Sequence, residues 1–441
     1  MNYDKKVIKN ASWIIGVQIV KSVLALIISM FTARYLGPSN YGLINYAASI
    51  VSFVTPIMYL GFNNILVQEI INNPGKEGET VGTATCLSFV SSLFCIGGIA
   101  AFVSVANRGE KETLIVCLLY SALLIFQSAD LIMYWYQAKL LSKYSSGVSL
   151  CAYIAVSCYK IYLLATGKSI YWFAVSNALD YLIISCFLWT IYRKIGKQKF
   201  AFSFDAAKRL FCKSKHYIIS NIMIVIFAQT DRVMLKLMVG DAETGYYSAA
   251  VYCAGLMSFV FSAIIDSVRP IAFKHKEQSE ELFERDISCL YSIIIYFAIA
   301  YSLAMTIFAP LVVNVLYGKE YASSISVLKI IVWYSTASYL GGARDIWVLA
   351  EDKQKYLWRL NAFGAIVNIV LNAAFIPIWK SSGAALASVI TQFFVNVLFT
   401  SIYKPTRRTG QLMLNGCNPK MFFGMIKNIV KRVKFETKNQ S

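Results

Sequence analysis

The sequence predicts an all-α integral membrane protein with about twelve transmembrane helices in two six-span halves. Three observations predict it. The 441 residues are 57% apolar and only 15% charged, with a mean hydropathy of +0.56, too little polarity for a water-facing surface. Apolar tracts of about 20 residues, the length that crosses a hydrocarbon core about 30 Å thick, recur from Trp13 to Ile402 with short polar breaks. The longest break, Arg193 to Lys215, leaves six tracts on each side.

The first tract, 12–36, carries Lys21, runs to Arg34 and lacks a small-residue cleavage site, so it is a retained span rather than a signal peptide. A Gly37-Pro38 turn opens 41–66, and the polar stretch through Lys76 and Glu79 precedes 83–106. Arg108 to Lys111 separates it from 113–138, Lys139 and Lys143 precede 147–166, and Lys168 precedes 169–193. These make an N-terminal bundle, 1–192, followed by a cytoplasmic or interfacial linker, 193–215. The C-terminal bundle, 216–404, holds 216–239, 245–273, 287–316, 323–350, 357–379 and 383–404. A basic tail, 405–441, closes the chain; from Pro419 its apolar residues Met421, Phe422, Met425, Ile426 and Ile429 recur at helical spacing, which predicts an amphipathic helix on the inner leaflet. Phe200 to Lys215 is expected to be a similar interfacial link.

A net charge of +19 would point a soluble protein toward nucleic acid, but here the cations sort by compartment. With the amino terminus inside, 29 of 42 Lys and Arg fall in cytoplasmic segments and six at outer ends: Arg34, Arg108, Lys111, Lys168, Lys319 and Lys380. Both termini are therefore expected in the cytoplasm, and nucleic acid is not expected as a partner. Ten cysteines lie mostly inside spans without a Cys-x-x-Cys pair, and neither His216 nor His275 has ligand spacing around it, so no metal and no cofactor is expected.

The join after the first span and the join after the seventh both read Gly-x4-Gly-x4-Ala: Gly37, Gly42 and Ala47, then Gly240, Gly245 and Ala250. A parallel repeat of six spans, related by an axis along the membrane normal, puts the same turn at the same place in each half; two ordinary glycine turns explain the spacing equally simply. The Gly37 to Gly42 spacing imitates a phosphate-binding loop, but Leu43 stands where its lysine belongs. Nothing else argues for ATP hydrolysis or soluble-type catalysis.

Seven cations fall inside predicted spans: Lys21, Lys160, Arg232, Lys236, Arg269, Lys329 and Arg344. Asp130, Asp180, Asp231, Asp266 and Asp345 accompany them as coupling or ion-pairing acids. A charge at the bilayer centre costs about 2.5–3.5 kcal/mol on insertion scales, so these groups are expected to face a wet interior. Asp266 and Arg269, at i and i+3, pair on one helix face; Asp231 and Arg232, being adjacent, need partners elsewhere. The cationic excess suits an anionic group such as a pyrophosphate, with Arg232, Arg269 and Arg344 able to grip it in bidentate fashion and Lys21 next by depth. Tyr134-Trp135-Tyr136 and Trp333-Tyr334 could stack on sugars or sit in interfacial belts, and Asn361, Asn368, Asn372, Gln392 and Asn396 could face a sugar path or bond between helices.

Three stretches carry a resemblance. Ala33-Arg34-Tyr35-Leu36-Gly37-Pro38-Ser39-Asn40-Tyr41-Gly42, then Thr230-Asp231-Arg232-Val233-Met234-Leu235 running to Gly245-Tyr246-Tyr247-Ser248, and Leu316-Tyr317-Gly318-Lys319-Glu320-Tyr321 together resemble the bacterial polysaccharide transporter family of the multidrug/oligosaccharidyl-lipid/polysaccharide exporter superfamily. The resemblance runs from Ile8 to about Lys404. It implies two pseudo-symmetric six-helix bundles around a central cavity in the bacterial cell membrane. It also implies alternating access that flips an undecaprenyl-pyrophosphate-linked oligosaccharide, coupled to a proton or sodium ion, with polysaccharide polymerase and chain-length proteins as partners beside membrane lipids. Only Arg34, Asp231 and Arg232 sit in matching motifs. The alternatives are a multidrug or cation antiporter, for which an acidic site with few cations is expected, and a membrane glycan polymerase or ligase, for which a large outer loop is expected.

Overall fold

The computed structural model describes residues 3–196, 198–419 and 422, with the side chains of 3–15, 19 and 355 left aside. Helices account for almost all of it, and no strand occurs among the described residues. They are α1 (Tyr3–Met58), α2 (Leu66–Asn72), α3 (Glu77–Ala106), α4 (Lys111–Ser121), α5 (Leu123–Ala129), α6 (Met133–Ala138), α7 (Ser142–Ala165) and α8 (Ile170–Ile195). After the linker come α9 (Phe204–Met238), α10 (Asp241–Ala254), α11 (Ser258–Gln278), α12 (Glu280–Leu316), α13 (Ser324–Ala350), α14 (Leu357–Phe393), α15 (Thr400–Ile402) and α16 (Arg407–Gly416). Among the described residues, eight stretches are long and apolar enough to cross a membrane, nine with the bent pair α10 and α11.

Two of those stretches are folded back on themselves. Within α1 the backbone breaks at Gly37 (φ 70°, ψ 171°), just before Pro38. A straight helix would hold residues 29 and 41 about 18 Å apart; instead the Ser29 and Tyr41 hydroxyls hydrogen-bond at 2.8 Å, so the two legs run side by side. Within α14 the break is at Lys380 (φ 51°, ψ −129°), three residues after Pro377. A Cβ on Gly383 would lie 2.3 Å from the Phe375 carbonyl oxygen, a contact that only a reversal of the chain allows.

The chain divides into two compact units, Met1–Ser248 and Ala249–Ser441. In the first, α1 packs against α9, α7 and α4, and α7 against α8. One apolar core joins Leu43, Tyr46, Ile50, Ile99, Leu124 and Phe173; a second gathers Phe62, Leu66, Leu131, Trp135, Tyr136 and Leu188. In the second unit α12 packs on α11, α13 and α16 around Phe261, Ile287, Tyr291, Ile294 and Trp347.

The stretch expected to be an interfacial link becomes, from Phe204, the first turns of α9, because Ser203 caps the helix by accepting from the Ala206 amide and Asp205 meets the positive end of the dipole. Of the tail, α16 lies on the second unit: Thr409 and Tyr291 share a 2.6 Å hydrogen bond and Arg408 grips Glu284 at 2.5 Å. The amphipathic helix expected from Pro419 falls outside the described residues, apart from Pro419 itself and Phe422.

Candidate functional site

Polar residues from four helices of the first unit line one cavity of about 280 Å³. Lys160 comes from α7, Asn177, Asp180 and Tyr181 from α8, Ser52 and Thr55 from the second leg of α1, and Gln127 from α5. Helical spacing puts them there: Ser52 and Thr55 are i, i+3, as are Asn177 and Asp180, so each pair shares a face. The Lys160 ammonium donates to Asn177 Oδ1 at 3.1 Å, and Asn177 Nδ2 donates to the Phe173 carbonyl. Ser52 and Thr55 donate to their own helix carbonyls, Ala48 and Val51, which leaves the hydroxyl lone pairs turned to accept. A wider cleft of about 410 Å³ shares Ser52, Thr55 and Gln127 and adds Tyr59, Asn221 and Gln229.

Lys21 hydrogen-bonds Ser149 at 2.7 Å with its ammonium 5.3 Å from the Tyr153 ring centroid, and Tyr153 lines the cavity. It acts electrostatically on Asp130 and Asp180, and Lys160 acts on Asp180. Gln127 Oε1 and Asp180 Oδ1, on two residues that line the cavity, are buried without a hydrogen-bond partner, as is Asp130 Oδ1 just after α5. Such a site can take hydroxyl or ammonium donors, or a small cation, through its oxygens, and an anion through Lys160.

The other charges are distributed differently. Asp231 accepts from the Tyr247 hydroxyl at 2.5 Å, while Arg232 donates to Gln229 at 2.7 Å and to Ser248 at 3.2 Å, each with a partner outside the adjacent pair. Gln229 also accepts from Ser49 and lines the wider cleft, so Arg232 stands one side chain behind that lining. Lys236, with a side chain only 3% exposed, bridges Glu110 and Asp241, both at 2.7 Å. Lys236 holds the Glu110 carboxyl below its ordinary range, helped by the Thr113 hydroxyl. In the second unit Arg344 is buried and binds Asp345 at 2.9 Å, Asn396 at 3.0 Å, on the π-helical stretch Phe394–Phe399 that follows α14, and Thr400 at 3.5 Å, just beyond it. Arg269 pairs with Asp266 at 3.2 Å on an exposed face; Arg34 and Lys329 are exposed. Lys236 is thus neutralised by Glu110 and Asp241, and neither it nor Arg344, Arg269, Arg34 or Lys329 is among the residues that line the 280 Å³ cavity.

The aromatic expectation also changes. Trp135 is buried and donates to Glu77 at 2.8 Å, and Tyr136 donates to the Leu188 carbonyl, so both are core. Asn372 and Asn396 donate to Asn368 and Gln392 one turn earlier, along their own helix. Gln127, Asn177, Ser52 and Thr55 escaped the sequence analysis; Asn177 with Asp180 on an apolar span was the available signal.

The two repeated joins meet. A Cβ on Gly42 would lie 1.9 Å from the Asp241 carbonyl oxygen, and one on Gly245 would lie 2.0 Å from that of Pro38. Each second glycine therefore packs on the backbone of the opposite join. Gly37 and Gly240 are the turns themselves, with φ of 70° and 122°.

A family model described as polysaccharide biosynthesis protein matches residues 7–276. The chain belongs to that family. It is 21% identical over 410 residues to the capsular polysaccharide biosynthesis protein CapF of Staphylococcus aureus, covering 90% of this chain and 99% of that one. It is 21% identical over 346 residues to a putative O-antigen transporter of Shigella flexneri, covering 74% and 80%. In fold it is similar to the lipid II flippase MurJ in an inward closed conformation, with a TM-score of 0.71 at 13% identity over 93% of this chain and 92% of that one. An inward-facing multidrug transporter of the MOP superfamily gives a TM-score of 0.66 at 13% identity, over 89% and 95%. The family member is thus a multi-pass membrane protein with the MOP-superfamily fold.

Proposed function

We propose that the protein is a flippase that moves an undecaprenyl-pyrophosphate-linked oligosaccharide repeat unit from the inner to the outer leaflet for surface polysaccharide assembly, and that it is not an enzyme. The observation that carries this is a charge-bearing cavity lined by polar residues inside an apolar helical unit of a polysaccharide biosynthesis family member. A cavity lined by hydroxyls, amides, tyrosines and a lysine suits hydroxyl-rich sugars with an anionic group, whereas the lipid half needs only the bilayer. Relatives described as a capsular biosynthesis protein and a putative O-antigen transporter support the same substrate class.

The twelve-span count rests on the nine crossing stretches, the reversals at Gly37 and Lys380, and α13, 27 residues long. Two six-span halves joined at 193–215, with both termini cytoplasmic, complete the arrangement, and alternating access follows from it. Lys160 and Lys21 hold the anionic part of the substrate, Arg232 positions Gln229 of the wider cleft, and Asp130 and Asp180 take the coupling proton or sodium. A polymerase and chain-length proteins receive the product at the outer leaflet.

The test is deletion of the gene in its host, with surface glycan and inner-leaflet lipid-linked oligosaccharide both quantified. Loss of glycan with accumulation of complete repeat units is expected, and complementation with Lys160→Ala at equal membrane abundance should restore roughly a tenth or less of the glycan. Normal glycan and normal lipid intermediates, with no second flippase in the host, overturn the proposal.

A further inference from the structure

The cleft of about 410 Å³ beside the charged cavity differs from its neighbour in chemistry. Two helix faces make most of its wall. On α1, Ser52, Thr55 and Pro56 recur at i, i+3 and i+4, with Tyr59 just past the helix end. On α9, Asn221, Ile224, Val225 and Gln229 fall on one face, and α1 packs against α9. Asn63, in the turn Phe62–Asn64, and Gln127 of α5 complete it. None of the described residues lining this cleft carries a charge, whereas Lys160 and Asp180 line the cavity next to it.

Its polar groups are set for hydroxyls. Arg232 can only donate, and its 2.7 Å bond to Gln229 Oε1 leaves the Gln229 amide nitrogen as a donor for the cleft. Asn63 Oδ1 accepts from Asn64 at 3.0 Å, which leaves its own amide nitrogen in the same position. The Asn221 side chain bonds to none of the described residues, so it offers both a donor and an acceptor. All three amides are half-buried, within reach of the cleft rather than closed behind it. Ser52 and Thr55 present acceptor lone pairs, and Pro56, Ile224, Val225 and the Tyr59 ring give an apolar wall. Donors and acceptors beside such a wall complement a sugar ring, with its hydroxyl edge and its C–H face, and the volume falls within the roughly 300–1,000 Å³ of small-molecule sites.

We propose that this cleft binds the sugar next to the pyrophosphate and selects an uncharged one, a neutral hexose or its N-acetyl derivative, over a uronic acid. A carboxylate in the cleft would lose hydration and find no cation in the lining. Arg232, behind Gln229, is already engaged by Gln229 and Ser248. The cleft and the charged cavity share Ser52, Thr55 and Gln127, so a pyrophosphate held at Lys160 and Lys21 delivers the sugar attached to it into the cleft. The inference rests on the flippase proposal for the pyrophosphate, and it adds the charge class of the sugar.

The experiment is native mass spectrometry of the full-length protein with three probes: undecaprenyl pyrophosphate alone, the same lipid bearing one glucose, and the same lipid bearing one glucuronic acid. The last two differ only at carbon 6. The wild type is expected to retain the glucosyl lipid about tenfold more strongly than the glucuronosyl lipid. Asn221→Ala should weaken retention of the glucosyl lipid about threefold to tenfold and leave the bare lipid unaffected, which also shows that the variant is folded. Asn221→Lys, which adds a cation to the lining, should reverse the preference. Lys160→Ala should weaken all three alike. Equal retention of the two glycosylated lipids by the wild type overturns the proposal, as does an unchanged ratio in Asn221→Lys that still binds the bare lipid. Binding is read apart from export, so the two readings fail separately. Discrimination by a protein dispensable for glycan export overturns the flippase reading alone, and its absence in a protein required for export overturns the selectivity of the cleft alone.

Discussion

Lys236 illustrates how a cation inside an apolar span is accommodated: its ammonium reaches two carboxylates from distant parts of the chain, at 2.7 Å each. Removing it strands a half-buried Asp241, so Lys236→Met is expected to cost about 2 kcal/mol, measured as a lowered midpoint in thermal unfolding of the detergent-solubilised protein. Unchanged stability would show that water already satisfies Asp241. The pH dependence follows from Glu110, whose carboxyl Lys236 holds below its ordinary range. A carboxyl that is more acidic when folded stabilises the protein above its unfolded pKa, and that contribution fades as pH falls through the folded value. Glu110→Gln should therefore flatten the acid side of the stability profile and leave the neutral side lower by a constant amount. For the central cluster, Lys160→Met and Asp180→Asn should each destabilise, while the double variant loses less than their sum, because each single change leaves the other charge uncompensated. Strict additivity in that cycle would remove their coupling. Sequence revealed only those partners that helix geometry places nearby: Asp266 and Arg269 were legible at i, i+3, whereas Lys236 with Glu110, or Arg344 with Asn396, depends on packing that no local spacing encodes.

At the level of the element, glycine and proline were the readable signals. Gly37-Pro38 marked the first reversal, and Gly240 the second join, because a positive φ at those places favours glycine. The reversal in α14 was legible only as a break in hydropathy, since Lys380 adopts a positive φ where sequence preferences offer no hint. What spacing could not show was that the two joins pack on one another through Gly42 and Gly245. Gly42→Ala is expected to push Asp241 away and cost several kcal/mol, of the order of a strongly overpacked core. Gly98→Ala, in α3 with nothing within 4 Å, is the control and should be neutral or slightly stabilising. Fluorescence-detected size exclusion after heating distinguishes them; equal survival would mean that the joins separate readily and that their contact is incidental.

For the whole molecule, hydropathy carried the class and the reversals explain why twelve tracts appear as fewer continuous helices. The site was less legible, because a cavity is made by faces of helices whose register against each other the sequence does not state: Ser52, Gln127 and Asn177 become neighbours only when α1, α5 and α8 pack. Topology is the property that charge counting addresses directly, and it can be checked with native cysteines. Cys212 near the start of α9 and Cys417 just after α16 are both exposed. If 29 of 42 cations mark the cytoplasmic side, both thiols lie there. A membrane-impermeant maleimide should then leave Cys212 and Cys417 unlabelled in intact cells and modify both in inside-out vesicles. Labelling of either from outside would reverse the orientation of the span next to it. Because α9 is the first span after the linker, labelling of Cys212 from outside would also place 193–215 outside and dismantle the parallel arrangement of the two halves.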